Sequence, residues 1–320
     1  MSDILQVEHL KRYFIKKSLF SSKKSVVKAA DDVSFTLKEG EVFVLAGESG
    51  SGKSTIARRI LKAIEADSGK IIFDGDVIGD DSASLEKIRM QCQMVQQDPY
   101  DSINPRMKVF DIISEPLEIH KVGSKAEKYK RVLDVLREVR LEPADEIATK
   151  YPHQLSGGQR QRIVLARALV LKPKVIIADE PVSMLDVSVR AEVLELMKEL
   201  QVKHNISYVY ITHDLATARH FGNRIAILYL GKIVEMGSID DVLLSPRHPY
   251  TQALIDALSE PDPDNLNKDK KIRINDPLDI DVYSGCRFRA RCPYAIDECK
   301  AEPPLEEKHG RDVACFVEIK

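Results

Sequence analysis

One segment limits the possible folds of this chain more than any other feature of its sequence. It is rich in glycine and lies between a short apolar run and a run with helical spacing. Residues 47–55 read Gly-Glu-Ser-Gly-Ser-Gly-Lys-Ser-Thr. The apolar run Val42–Ala46 before them is too short for a helix, whereas Ile56–Ile64 has the apolar spacing of one. The spacing Gly-x4-Gly-Lys-Ser, with a strand before it and a helix after it, predicts a phosphate-binding loop in an α/β fold.

The residue types of this loop suit a triphosphate. Glycines let successive backbone N–H groups approach phosphate oxygens, and the following helix directs its positive end at the same anion. We expect Lys53 to bridge the β- and γ-phosphates and Ser54 to bind Mg²⁺. The alternative, a flexible Gly/Ser turn, does not require the flanking strand and helix. The predicted phosphate-binding residues are Gly47, Glu48, Ser49, Gly50, Ser51, Gly52, Lys53, Ser54 and Thr55.

An acidic pair follows a second buried-strand candidate. Asp179 and Glu180 end the apolar run Val175–Ala178, and ligands of an open α/β sheet bind at the carboxyl ends of its strands. Asp179 is predicted to hold Mg²⁺ through water, and Glu180 to orient or deprotonate an attacking water. An isolated acidic pair is equally often a cap or a turn, but the phosphate loop favours the catalytic interpretation.

Residues 155–159 read Leu-Ser-Gly-Gly-Gln and precede the acidic pair by about twenty residues. Ser156, Gly157 and Gly158 offer a hydroxyl and unobstructed N–H groups at the positive end of the predicted helix Gln159–Leu171, which is a second anion site. One chain needs only one γ-phosphate site. The spare site therefore predicts that this segment meets the ATP of a second subunit.

Together, these motifs resemble the nucleotide-binding subunits of ABC transporters over nearly the whole chain. The resemblance implies a RecA-like P-loop NTPase core of α/β class, ATP and Mg²⁺ as cofactors, and hydrolysis of ATP. It also implies a head-to-tail dimer in which each Leu-Ser-Gly-Gly-Gln signature, including Gln159, covers the nucleotide of the other subunit.

Other site residues follow from this resemblance alone. Gln97 matches the glutamine loop that links Mg²⁺ and the attacking water to the membrane partner, although Gln96 stands where relatives carry an aromatic residue. His213 matches the switch histidine that contacts the γ-phosphate. Asp186 belongs to a loop that touches the opposite subunit. Phe14 is placed to stack on adenine, with Tyr13 as the competing candidate.

The sequence pattern and the family resemblance together divide the chain into an ATPase domain, a linker and a C-terminal extension. Apolar strands alternating with helical stretches predict a parallel sheet covered by helices. We expect an ATPase domain over 1–259 with an inserted helical subdomain at about 98–160, because Val132, Val135, Leu136 and Val139 form a helical stripe. A Pro- and Asp-rich linker over 260–281 and a small cysteine-rich extension over 282–320 follow.

Four cysteines lie close together in this extension, at 286, 292, 299 and 315. Thiolates at these wide spacings suit an iron–sulfur cluster or a zinc ion, and unliganded thiols or disulfides remain open. The family resemblance points to a 4Fe–4S cluster held by Cys286, Cys292, Cys299 and Cys315. Cys92 stands apart and reads as a small buried apolar residue.

Two segments resemble the oligopeptide/dipeptide (peptide/nickel) importer branch: the run from Gln97 to Arg106 and the run His248–Leu254. That branch implies import of peptides or a related cargo such as nickel or oligosaccharide. The implied partners are a second ATPase subunit, identical or a sibling, two transmembrane permease subunits and, indirectly, an extracytoplasmic binding protein. The implied location is the cytoplasmic face of the cell membrane, as a peripheral protein.

Composition excludes some functions. The net charge of −2 argues against general nucleic-acid binding, and no apolar run is long enough to span a membrane. The start of the chain lacks the pattern of a secretory signal.

The alternative function, from another class of protein, is a soluble ABC-type ATPase in DNA repair or translation. It is disfavoured because repair types carry a long coiled coil between loop and signature, whereas translation types carry two cassettes.

Overall fold

The computed structural model describes residues 2–17, 24–257 and 283–319. The predicted linker 260–281 lies outside the described residues. The strands of the described part, in chain order, are β1 (Asp3–Lys17), β2 (Lys24–Lys38), β3 (Val42–Ala46), β4 (Ser68–Phe73), β5 (Asp76–Val77), β6 (Cys92–Val95), β7 (Val175–Asp179), β8 (Ser207–Thr212), β9 (Arg224–Tyr229), β10 (Lys232–Ser238), β11 (Glu306–Lys308) and β12 (Arg311–Val313).

The helices alternate with these strands. In chain order they are α1 (Lys53–Ile60), α2 (Ser82–Gln91), α3 (Pro99–Ser102), α4 (Val109–Ile119), α5 (Lys125–Glu138), α6 (Ala144–Thr149), α7 (Gly157–Leu169), α8 (Val187–His204), α9 (Leu215–Phe221), α10 (Ile239–Leu244) and α11 (Pro249–Asp256). No helix within the described ranges has both the length and the apolarity to cross a membrane.

The main sheet has the strand order β11-β12-β10-β9-β3-β8-β7-β6. Strands β9, β3, β8, β7 and β6 run parallel, as the alternation of strands and helices predicts. Every residue of β3, β7 and β8 is buried, because helices or the second sheet cover both faces. The carboxyl ends of β3, β7 and β8 lie side by side, so the loops that follow them meet at one edge.

A second sheet is antiparallel, in the order β2-β1-β4-β5, and the sequence analysis did not predict it. Its long strands β1 and β2 carry lysines and aspartates between their apolar residues, which obscures the alternation that marks a half-buried strand. Its apolar face packs on the main sheet. The ring of Phe35 stacks on that of Phe43, with centroids 4.7 Å apart.

Helices α3 to α6 lie between 99 and 149, within the range expected for the helical subdomain. The predicted stripe is buried: Val132, Leu136 and Val139 are fully covered. The apolar core of these helices is continuous with that of α7 and the main sheet. Helix α7 begins at Gly157, two residues before the predicted start, because the glycines themselves are helical.

The described cysteine-rich segment, 283–319, joins the main sheet through β12, which pairs antiparallel with β10. Buried Arg311 anchors it. Its guanidinium lies 3.2 Å from the carboxylate of Glu235, which is 0% exposed, and donates to the carbonyls of Asp241 and Ser245 at 2.6 and 2.9 Å. The segment is thus packed against the fold.

Candidate functional site

The glycine loop after β3 has a backbone that only glycine adopts without strain at two points. Gly47 has φ +149° and Gly52 has φ +110°. A Cβ at Gly47 would lie 2.2 Å from the carbonyl oxygen of Leu228, and one at Gly52 would lie 1.8 Å from that of Ala29. The loop is therefore held between β2 and β9, at the start of α1.

Lys53 turns its side chain into the loop. Its Nζ donates to the carbonyl oxygens of Gly47 and Glu48, both at 2.8 Å, and the residue is only 5% exposed. Burial lowers the pKa of Lys53, and the carboxylates of Glu180 and Asp179 oppose that shift. The ammonium group of Lys53 is thus placed so that phosphate oxygens could replace the carbonyl oxygens of Gly47 and Glu48 as its hydrogen-bond acceptors.

Asp179 lies at the end of β7, and the side chain of Ser54 hydrogen-bonds to it. Burial raises the pKa of Asp179, and the bond from Ser54 acts in the opposite direction. A buried carboxylate beside a hydroxyl is an oxygen donor set of the kind that Mg²⁺ takes. The structure therefore brings together two of the three residues predicted to bind Mg²⁺.

Glu180 accepts contacts from two other predicted catalytic residues. Gln97 Nε2 lies 3.0 Å from one carboxylate oxygen, and His213 Nδ1 lies 2.9 Å from the other. Glu180 itself has φ +47°, an uncommon conformation for a residue other than glycine that often marks a functional position. Loops after β6, β7 and β8 thus converge on one carboxylate.

The signature begins α7 as a helix cap. The hydroxyl of Ser156 accepts from the backbone of Gln159 at 3.3 Å, and the Gln159 side chain accepts from the backbone of Ser156 at 3.0 Å. The hydrogen bonds found in the described part of the chain do not join these two residues to the glycine loop. The signature lies instead beside the loop that contains Asp186: a Cβ at Gly157 would be 3.8 Å from Leu185.

The two candidates for adenine stacking differ in their surroundings. Phe14 is 38% exposed, and the guanidinium of Arg12 lies 4.9 Å from its ring centroid. Tyr13 donates its hydroxyl to the carboxylate of Asp31. Burial and this hydrogen bond raise the pKa of Tyr13 to about 12. The accessible ring of Phe14 is the one free to receive a base.

The four clustered cysteines line one small cavity with His248 and Phe288. Burial raises the pKa of Cys286 and of Cys292 to about 11. Within the described ranges, no three His, Cys, Asp or Glu side chains approach closely enough to hold a metal ion. Cys92 is buried in β6, away from this cavity.

Three contacts that the sequence did not reveal surround the glycine loop. The backbone N–H of Glu48 donates to the hydroxyl of Tyr250 at 2.9 Å, and its carboxylate faces Arg291. Arg287 pairs with Asp31. The partners are separated by more than 200 positions in sequence, so no local pattern could indicate them.

Two family models match this chain. The ABC transporter family covers residues 30–183, and the C-terminal region of oligopeptide/dipeptide transporters covers residues 234–299. The chain is 46% identical to a probable peptide ABC transporter ATP-binding protein of Sinorhizobium fredii, over 99% of this chain and 91% of that protein. It is 43% identical to the oligopeptide transport ATP-binding protein OppF of Salmonella typhimurium, over 98% of this chain and 96% of OppF.

Solved structures agree in fold. The dimeric ATP-binding cassette MJ0796 bound to ADP and Pi matches with a TM-score of 0.64 and 31% identity, over 73% of this chain and 98% of that one. The protein cbiO1 of Clostridium perfringens, part of the ABC transporter complex cbiONQ, matches with a TM-score of 0.66 and 27% identity, over 77% of this chain and 92% of that one. The chain belongs to the ATP-binding proteins of the ABC transporter family, in the oligopeptide/dipeptide branch.

Proposed function

We propose that this chain is the ATP-hydrolysing subunit of an ABC importer of di- and oligopeptides. The observation that carries the proposal is the convergence of Gln97 and His213 on the carboxylate of Glu180, beside the glycine loop. Relatives that match nearly the whole chain are named as peptide, oligopeptide or dipeptide transport proteins. Their names support peptides as the cargo of this chain. They offer no support for the alternative in DNA repair or translation.

The residue roles follow from the geometry. Lys53 exchanges its carbonyl partners for β- and γ-phosphate oxygens, and the loop N–H groups bind the remaining oxygens. Glu180 accepts a proton from the attacking water, and Gln97 holds its carboxylate in place. His213, which contacts the other carboxylate oxygen, turns to the γ-phosphate when ATP binds. Ser54, Asp179 and Gln97 would hold Mg²⁺, which would neutralise charge on the phosphate oxygens.

We further propose that hydrolysis needs a second subunit. Ser156 and Gln159 of the signature bond to each other, and among the described residues no hydrogen bond joins them to the chain's own glycine loop. Close to them, Met184 is 61% and Val187 is 81% exposed. Exposed apolar side chains beside the predicted second anion site support an interface with a second ATPase subunit, identical or a sibling.

The same proposal includes two permease subunits. Small surface clefts lie between the glutamine loop and the helical subdomain. One contains Tyr100, Pro105 and Arg160, and the ring of Tyr100 lies 4.3 Å from the guanidinium of Arg160. We infer that a cytoplasmic segment of a membrane subunit docks at this cleft, which lies between the residues after the glutamine loop and the start of the signature helix. Docking there places the chain at the cytoplasmic face of the membrane, where an extracytoplasmic binding protein acts only through the permeases.

We propose a 4Fe–4S cluster at Cys286, Cys292, Cys299 and Cys315, with zinc or unliganded thiols as the alternatives. The support is that all four side chains line one cavity and that thiolates are the ligands of such clusters. As they stand, no three of these described thiols form a metal-binding group, so binding would have to draw them together. Coordination to zinc or to the iron of a cluster would stabilise the thiolates, and so would oppose the effect of burial, which raises the pKa of Cys286 and Cys292. The cluster would tie the segment together and has no part in hydrolysis.

Uptake into proteoliposomes tests the transport proposal. The vesicles contain the chain with its permease subunits, and a labelled oligopeptide is supplied with its binding protein outside and ATP inside. ATP-dependent uptake that disappears in Glu180→Gln supports the proposal. Uptake of nickel or an oligosaccharide in place of the peptide would reassign the cargo, and hydrolysis without any association with permeases would favour the soluble alternative.

A further inference from the structure

The segment that carries the four clustered cysteines reaches the glycine loop through an arginine. Arg291 Nη1 and Nη2 lie 3.3 and 3.5 Å from the two carboxylate oxygens of Glu48. The same guanidinium donates to the hydroxyl of Tyr229 at 3.3 Å. Because the backbone N–H of Glu48 also donates to Tyr250, the start of the loop is held at its main chain and its side chain by residues outside it.

A second arginine of the segment, Arg287, contacts residues that support the loop. The buried guanidinium of Arg287 donates to the carbonyl oxygen of Leu230 and pairs with the carboxylate of Asp31. The next residue, Gly231, donates its N–H to the carbonyl oxygen of Ser51 in the loop at 2.7 Å. Arg287 is thus one residue removed from a direct main-chain contact with the loop.

Asp31 links Arg287 to the strand that carries Phe14, the residue predicted to stack on adenine. Its carboxylate also accepts from the hydroxyl of Tyr13 and from Lys28 Nζ, the latter at 3.2 Å. Its backbone N–H donates to the carbonyl oxygen of Gly231 at 2.9 Å. Tyr13 precedes Phe14 in β1, so the strand that presents Phe14 is anchored to the same arginine.

Packing holds both arginines in position. Phe288, between them in sequence, is 1% exposed, and its ring centroid lies 5.4 Å from that of Tyr229 and 5.5 Å from that of Tyr250. The two ion pairs differ in burial. Arg287 and Asp31 have side chains 4% and 8% exposed, whereas Arg291 and Glu48 are 27% and 47% exposed. Because the Arg291–Glu48 pair is partly exposed, it contributes little to the free energy of folding. Its main effect is therefore the geometry that it imposes on the glycine loop.

We propose that the C-terminal cysteine segment positions the nucleotide site, with Arg291 orienting the glycine loop through Glu48 and Arg287 orienting it through the Leu230–Gly231 turn. Both are positioning residues, since they contact the loop and its supports rather than the reacting atoms. The inference rests on the proposed function, because it assumes that ATP binds in this loop. It gives the appended segment a role in ATP affinity that is separate from any metal that its cysteines hold.

Equilibrium titration of the full-length chain with a fluorescent ATP analogue tests the proposal. Arg291→Gln removes the contact with Glu48 without creating a buried charge. We expect the dissociation constant to rise about fivefold, the effect of losing one partly exposed ion pair, with the melting temperature of the nucleotide-free chain unchanged. Arg291→Lys keeps the charge but loses the forked geometry and should fall in between.

The matched control is Arg289→Gln, which changes the same charge in the same segment. Within the described ranges, the side chain of Arg289 has no hydrogen bond or ion pair, and the residue is part-exposed. It should bind the analogue as the wild type does. In steady-state hydrolysis, Arg291→Gln should raise KM with kcat near the wild-type value, because the contact orients the loop before the chemical step; a merely structural defect would lower the active fraction and kcat instead.

A double-mutant cycle with Glu48→Gln separates this effect from general damage. If Arg291 acts through Glu48, the double variant binds no more weakly than the weaker of the two single variants. Additive losses, or wild-type affinity in Arg291→Gln, would overturn the positioning role. Lys53→Ala is measured in the same series: if it also binds normally, the nucleotide site itself is misplaced, whereas its loss of affinity beside an unaffected Arg291→Gln defeats only this inference.

Discussion

Nδ1 of His213 lies 2.9 Å from one carboxylate oxygen of Glu180, and the other oxygen accepts from Gln97 at 3.0 Å. Both carboxylate oxygens therefore have a partner before any nucleotide binds. We propose that an attacking water replaces one of these partners of the carboxylate, and that His213 then turns from Glu180 towards the γ-phosphate. The proposed proton acceptor and the proposed sensor of the γ-phosphate thus follow the neighbouring strands β7 and β8.

Replacing the proposed proton acceptor should separate binding from hydrolysis. In Glu180→Gln, we expect turnover to fall by a factor of about 10²–10⁴, while affinity for ATP is kept because the phosphate contacts of the loop are unchanged. ATP hydrolysis and equilibrium binding measured on one preparation show both effects. Glu195→Gln, on the exposed side of α8, is the control. Turnover near the wild-type rate in Glu180→Gln would show that another group accepts the proton.

A methyl group should be far more damaging at Gly52 in the glycine loop than at Gly75, which lies in the turn between β4 and β5. Gly52→Ala introduces a Cβ 1.8 Å from the Ala29 carbonyl oxygen at φ +110°. We expect a loss of at least about 1–3 kcal/mol of unfolding free energy, and loss of ATP binding because the loop must shift. Gly75→Ala at φ +81°, with no atom within 4 Å of its Cβ, should cost some stability but leave binding intact. Equal ATP affinity in both variants would contradict this account of the loop.

The acidity of Asp179 should link stability to pH. Burial raises the pKa of this carboxyl in the folded, nucleotide-free chain, so the folded state binds the proton more tightly than the unfolded state does. The stabilising contribution is then present below the ordinary carboxyl pKa and is lost as pH rises through the folded value. At neutral pH, the ionised group destabilises the fold relative to an amide.

Asp179→Asn should therefore melt at a higher temperature than the wild type at pH 7, and this difference should vanish near pH 4. Scanning calorimetry at both values measures it, and a lower melting temperature at pH 7 would contradict the assigned direction. Adding Mg²⁺ and ATP provides the functional control. The wild type gains stability by ligand binding, whereas the variant gains less because it lacks the carboxylate for the metal.

The proposed cluster in the cysteine segment predicts the iron and sulfide content of the purified chain. If a 4Fe–4S cluster is present, chain purified without oxygen should contain about four iron and four sulfide per molecule, and exchanging Cys292 and Cys299 for serine should remove both. Zinc at one equivalent, or neither metal, would contradict the cluster. Colorimetric iron and sulfide assays with a zinc determination decide among the three outcomes. ATP hydrolysis should persist while the segment stays folded, because Arg291 and Arg287 act through their own contacts.

The catalytic edge of the sheet was predictable from sequence because each residue follows a local signal. Gly47 and Lys53 follow a buried strand, Asp179 and Glu180 end another, and parallel strands bring their carboxyl ends together. The predicted fold class is confirmed, with small shifts: α1 begins at Lys53 rather than Ile56, and β8 extends to Thr212. These shifts reflect loop residues that are themselves helical or extended.

Other features carried no local signal. The antiparallel sheet of β1 and β2 has charged residues along most of its length, so its pairing depends on long-range contacts with β4 and the main sheet. The contact between Arg291 and Glu48 joins positions 243 residues apart. A sequence pattern names residue types along one stretch, whereas this contact is set by the path of the C-terminal segment over the sheet.

The central claim is that each ATP is hydrolysed in a pocket shared by two subunits. Complementation measures this most directly: one subunit of the dimer carries Lys53→Ala and the other carries Ser156→Arg. Each change alone in both subunits should abolish hydrolysis, but the mixed dimer keeps one complete pocket, formed by the loop of the second subunit and the signature of the first. A one-to-one mixture of the two variants should recover roughly a quarter of the wild-type rate, since half of the dimers are mixed and half of their pockets are intact. A silent mixture, or full activity of Ser156→Arg by itself, would contradict the shared pocket.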